Sequence, residues 1–338
     1  MPTASFFPAL CFGKLPMSAD FVRHNAGGRE VLAFDQWLQQ GIYHARTELR
    51  ADWESSYQQA PAYRFVFFPE NSENLLLGVL HPSQDRSERH YPFIVCLQID
   101  RRLPTNRLPL MPMLFASFLD GATRLVEDAK RNLSLQQIAE RTEALRAPVE
   151  GDYPGIAREY KTGLTAMSPN GLREHLWPSN GNERASRVFR NLVDILVPLR
   201  GHNAARLALG LRFPLPLDAA RRSFTASFWL HAASASMGMN WPRPFFFWTA
   251  SSSGPSSAAA FLFLYLRQPS PTSILSLLRP DLSSDAICAV DVDGHGNAAR
   301  SALPPRLAAT VSATDANLLE LLDVLGGPLT HAPAGVRA

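Results

Sequence analysis

The chain has 338 residues, 46% hydrophobic and 19% charged, enough to bury one large core or two ordinary ones and to fold as a globular protein. Its 33 basic and 30 acidic residues are spread along the chain, net +3, without a basic block, which argues against nucleic-acid or membrane-surface binding. Three widely separated cysteines, Cys11, Cys96 and Cys288, form no disulfide framework and fit a reducing cytoplasm.

The opening "MPTASFFPALCF" lacks a basic region and is interrupted by Pro8, so it reads poorly as a secretory signal. Residues 11–22, "CFGKLPMSADFV", are too broken for a helix and too polar for a buried strand. Gly13 allows a tight backbone there, Pro16 fixes the following turn and Asp20 can cap the chain as it enters a helical region. From Phe34 the apolar positions Phe34, Leu38, Ile42, Ala45 and Leu49 recur at helical spacing, widened by Trp37. Glu30 and Asp35 lie near the start of this amphipathic helix, where carboxylates suit the helix dipole.

"YRFVFFP" (63–69), "LLLGVLH" (75–81) and "PFIVCLQI" (92–99) read as neighbouring strands at the centre of a sheet. Helices follow at about 111–130 and 134–146, the second opened by Ser134 and Gln137 at capping-box spacing. From 147 to 185 Pro, Gly, Asn and Ser dominate, which predicts a loop-rich insertion or linker. Beyond it come a helix over 188–199 ended by Pro198, a strand over 205–215, and a helix over 218–235 with Phe224, Phe228 and His231 on one face. Two strands, "PFFFW" (244–248) and "AAAFLFLYL" (258–266), flank a small-residue loop, and "DANLLELLDVL" (315–325) is a short amphipathic helix. The longest apolar run is about half the ~20 residues a spanning helix needs.

The expected fold class is therefore α/β (α+β), with a second α/β portion after the insertion. The expected parts are an N-terminal domain (1–146), the insertion (147–185), a C-terminal portion (186–295) and a tail with one short helix (296–338).

Motif searches give little chemistry. P-loop, dinucleotide, zinc-protease, nucleophile-elbow and CxxC patterns are absent, so no cofactor and no metal are expected. "DVDGHGN" (291–297) opens like a calcium loop, but its twelfth position is Ala302, so a Gly-rich turn is the better reading. His81, Asp85 and His90 are close enough in sequence for an acid/base site, although polar loop residues between strands are common. Asp85 with Arg86 or Arg89 also suits a local ion pair.

"FGKLPMSADFV", the Trp-bearing "FDQWLQQGI", "PAYRFVF" and "HPSQDRSERHYPF", in this order and spacing, resemble the TagF (ImpM) family of type VI secretion system-associated proteins. The matching positions include Gly13, Lys14, Pro16, Asp20, Phe21, Arg64, Ser83, Asp85 and Arg89. Ala19 and Glu88 stand where the family pattern has Gly, which bears on any positive-φ backbone there, at a cost of roughly 1 kcal/mol. The likeness is strong over 5–100 and thin after 150.

The resemblance implies a mixed, largely antiparallel sheet sandwiched by helices. It implies a cytoplasmic, non-catalytic, post-translational repressor of a bacterial type VI secretion system, working by protein binding through the system's forkhead-associated scaffold protein. On this reading Lys14, Asp20, Asp85 and Arg89 converge on one surface as a polar contact patch. The alternatives are an assembly component of the same machine, marked by an exposed apolar patch around Phe245 to Trp248, and a hydrolase using Asp20, Asp85 and His90.

Overall fold

A computed structural model describes residues 8–70, 72, 74–100, 105–131, 133–148, 150–177, 181–201, 210–238, 244–250, 259–282, 284, 286–292 and 302–328. The N-terminal elements are β1 (Ala9–Gly13), β2 (Val22–His24), α1 (Arg29–Leu49), α2 (Trp53–Gln59), β3 (Tyr63–Phe67), β4 (Asn74–His81), β5 (Phe93–Asp100), α3 (Met111–Leu114), α4 (Ala116–Ala129) and α5 (Leu135–Ala144). They continue with α6 (Tyr153–Ala166), α7 (Pro169–Leu176), α8 (Gly181–Leu196), β6 (Gly210–Leu215), α9 (Ala219–Met237), β7 (Phe245–Thr249), β8 (Ala260–Tyr265), α10 (Ile274–Leu278), β9 (Ile287–Ala289), α11 (Pro305–Ser312) and α12 (Leu318–Gly326).

Among the described residues all strands join one sheet, ordered β2-β1-β5-β4-β3-β7-β8-β6-β9. Its neighbours are antiparallel except the β6–β9 pair, which is parallel. Helices cover both faces, the mixed, largely antiparallel sandwich that the family resemblance implies. The alternation of side chains along β3 sorts the layers. Phe65 and Phe67 meet Phe34 and Trp37 of α1, whereas Arg64 points the other way, to Asp120 of α4 and Ser223 of α9. The Trp37 indole donates to the Pro269 carbonyl at 2.8 Å, tying α1 to the chain just before α10. Ser134 and Gln137 form the predicted capping box at the start of α5.

Several expectations are corrected. β1 is buried along its whole length: helices cover the sheet on both sides, so the strand lacks the polar alternation of a half-exposed one. The 147–185 stretch carries α6, α7 and the start of α8 rather than loops. Pro154 and Pro169 sit in first helical turns, where a missing N–H costs nothing, and Ser168 caps α7. The strands after 186 extend the first sheet, because β7 pairs directly with β3.

β7 is central and buried, so Phe245 to Trp248 form no exposed patch. α9 is buried nearly all round; Phe224 and His231 face Tyr160, while Phe228 packs on Trp229. The tail holds two helices, α11 and α12. Of the calcium-like loop only Asp291 and Val292 lie within the described residues.

Candidate functional site

Strand register brings the two motif loops together. Gly13 at the end of β1 lies opposite Phe93 at the start of β5, and Phe93 lies opposite His81 at the end of β4. The chain after β1 and the loop between β4 and β5 therefore leave the sheet at the same end. Gly13 has φ +131°, and a Cβ there would stand 2.1 Å from the Pro92 carbonyl oxygen, so only glycine fits this exit.

Asp85 joins the loops. Its side chain is fully buried and accepts from Lys14 Nζ at 3.0 Å and Arg89 Nε at 2.7 Å. Its other oxygen accepts from the backbone N–H groups of Ser87 and Arg89, both at 2.9 Å. Burial pushes this carboxyl up, but those hydrogen bonds outweigh burial and hold it well below the usual carboxylate range. Main chain completes the clamp: Arg86 N–H donates to Ser18 O at 2.9 Å, and Arg89 Nη2 donates to Ala19 O at 2.7 Å.

Inside the second loop Glu88 N–H donates to Asp85 O, and Glu88 takes φ 61°. This is the left-handed conformation that the family glycine would adopt without strain. Ala19 is not among the positive-φ residues, so of the two departures only Glu88 carries strain.

Of the four residues expected on one polar surface patch, Lys14, Asp85 and Arg89 come together, but around a carboxylate that is interior and whose charge is spent on the two loops. Asp20 is exposed, its N–H donating to Ser18 Oγ, and it caps no helix, since Gly28 precedes α1. Pro16 is exposed at the turn closed by Ser18 N–H on Leu15 O. Phe21 packs edge-on to Tyr91 under the Arg23 guanidinium. Ser83 is buried; its carbonyl accepts from Tyr91 N–H. Arg64 is buried on the α4–α9 face, paired with Asp120. His90 stands edge-on to Trp53 and Tyr57, and burial lowers its pKa. Among the described residues no hydrogen bond or ion pair joins Asp20, Asp85 and His90.

The sequence reading missed the tether between the loops and α1. Tyr91 donates its hydroxyl to Asp35, which Arg23 also approaches at 3.6 Å. "HYPF" offered the one signal, an aromatic with a polar tip beside a strand start. Also missed was Lys130, which donates to Pro82 O at 2.7 Å and sits 3.0 Å from His81 Nδ1. Burial and then Arg131 pull its pKa down to about 8; burial and then Lys130 pull His81 down to about 4.

Burial raises the thiols of Cys11, to about 11, and of Cys96, so both behave as small hydrophobes. Among the described residues no His, Cys, Asp and Glu group is placed to hold a metal. No described helix is long and apolar enough to cross a membrane.

The fold and this site define a mixed-sheet α/β protein that presents two interlocked loops at one end of its sheet. Residues 11–145 match the model of the TagF N-terminal domain, type VI secretion system-associated, and this part of the chain belongs to that family. The matched segment runs from within β1 to the end of α5, so it contains both loops and every residue of the clamp. Among solved structures the chain is similar to the crystal structure of PA0076 from Pseudomonas aeruginosa, at TM-score 0.48 and 16% identity, over 82% of this chain and 96% of that one. No curated protein matches the sequence.

Proposed function

We propose that the chain is a non-catalytic, cytoplasmic regulator of the type VI secretion system, a post-translational repressor that acts by binding the system's forkhead-associated scaffold protein. The clamp carries this reading. Lys14, Asp85 and Arg89 fix two loops into one rigid surface, and rigidity lowers the ordering cost of docking. The outward groups around the clamp include Met17, Asp20 and Arg86.

Reversing Lys14 or Arg89 would break the clamp itself, so the test uses the exposed pair Met17→Glu with Arg86→Glu in the full chain. Urea unfolding is expected to move by no more than about 0.5 kcal/mol, as for ordinary surface changes. Co-purification with the scaffold protein and repression of secretion in a deletion strain are both expected to be lost. A folded double variant that keeps both would refute the reading.

A further inference from the structure

On the far side of β3 from α1, buried hydrogen-bond donors collect without acceptors. Arg64, Trp248 and Ser227 are 7%, 0% and 0% exposed. Among the described residues Arg64 Nε, Trp248 Nε1 and Ser227 Oγ have no hydrogen-bond partner, a costly arrangement in an interior. Strand register and helix spacing relate them. Arg64 and Trp248 are directly paired across β3 and β7, so their side chains share a face. Arg64 Nη1 donates to Ser223 Oγ at 3.3 Å, and Ser227 is one turn further along α9 on the same stripe.

The charge around them is unbalanced. Arg222 is 1% exposed and spends its guanidinium on the carbonyl oxygens of Pro216, Leu217 and Ala250, at 3.0, 2.6 and 3.2 Å. Burial, then the positive charge of Arg64, weaken its hold on its proton, with Asp218 opposing. Asp218 itself is committed to Arg221 at 3.2 Å and to the start of α9. The carboxylate on Arg64 is Asp120, at 2.5 Å, with its side chain 53% exposed. It engages one terminal nitrogen and leaves Nε, the other donor of the fork that grips an oxyanion through two parallel bonds.

We propose that this junction of β3, β7, α4 and α9 binds a small oxyanion of the phosphate class, which takes Arg64 Nε, the Trp248 indole N–H and the Ser227 hydroxyl as donors and displaces Asp120 from Arg64. Guanidinium, indole N–H and hydroxyl groups can all donate, and the two buried cations with Arg221 outnumber the two half-exposed carboxylates, Asp120 and Asp218, the polarity an oxyanion requires.

The test is calorimetric titration of the full chain with inorganic phosphate, against sodium chloride at equal ionic strength. Saturable phosphate binding is expected in the wild type and is lost in Arg222→Met. Asp120→Asn, at a position whose side chain is 53% exposed and with folding checked by its thermal melt, is expected to tighten it roughly tenfold, the scale of one competing charge-assisted pair. In nitrogen-15 spectra the indole signal missing from Trp248→Phe is expected to move with phosphate and not with chloride. Failure of the wild type to bind phosphate, an Asp120→Asn affinity no tighter than wild type, or an unmoved Trp248 signal overturns the proposal.

Discussion

Replacing Asp85 by Asn keeps the shape of the clamp and removes its charge. The amide oxygen still accepts from Ser87 and Arg89 N–H, but the amide nitrogen is then set, donor against donor, toward Lys14 Nζ and Arg89 Nε. Two charge-assisted bonds of 3.0 and 2.7 Å are lost, each of a kind that contributes about 1.5–3 kcal/mol. The Arg89 side chain is 62% exposed and recovers water, so its share falls to about 0.5 kcal/mol. Lys14 is 17% exposed and keeps about 2 kcal/mol. Asp85→Asn is therefore expected to cost about 2–3 kcal/mol in urea unfolding at pH 7.

Acidity gives the same experiment a second reading. The folded-state pKa of Asp85 is depressed below its ordinary 3.8, so its contribution is full above that value and is lost as pH falls from about 4 toward the folded pKa. The stability gap between wild type and Asp85→Asn should accordingly be full at neutral pH and narrow below pH ~4. A gap under about 0.5 kcal/mol at pH 7, or one that widens on acidification, refutes the charge-clamp argument.

Two backbone predictions follow from the same loops. Gly13→Ala puts a methyl 2.1 Å from Pro92 O at φ +131°; thermal melts should show a loss of about 3 kcal/mol or more, and a near-wild-type melt sinks the close-approach argument. Glu88→Gly relieves the left-handed backbone at φ 61° and should add about 0.5–1 kcal/mol by denaturant titration, whereas a destabilised protein would show that the Glu88 side chain supplies a compensating contact.

Legibility varied with the kind of signal. The α1 stripe, the three central strands and the Ser134 capping box were readable because their cues are local: a 3.6 period, short apolar runs, a three-residue spacing. Proline and glycine misled over 147–185, where Pro154 and Pro169 start helices instead of ending them. The loop residues 14 and 85–89 were legible as a set through family likeness and through the charge pairing Asp85 offers to Arg89. That Asp85 would be interior was not legible, since a polar loop residue is ordinarily solvated. The Tyr91–Asp35 tether spans 56 positions and the Arg64–Asp120 pair another 56, distances at which no local pattern speaks.

Sequence alone determined α1, the strands β3 to β5 and the start of α5, because side-chain periodicity is a property of the chain as written, while motif likeness supplied the mixed-sheet class and agrees with the match of residues 11–145 to the TagF N-terminal domain. Only the tertiary structure decided that β7 would dock on β3 and extend a single sheet. It alone decided, too, that two loops, 14–21 and 82–92, 61 or more positions apart, would share one buried carboxylate. The physical reason is strand register: once Gly13, Phe93 and His81 stand side by side, both loops must leave from one end of the sheet, and the charge of Asp85 is satisfied there by Lys14 and Arg89.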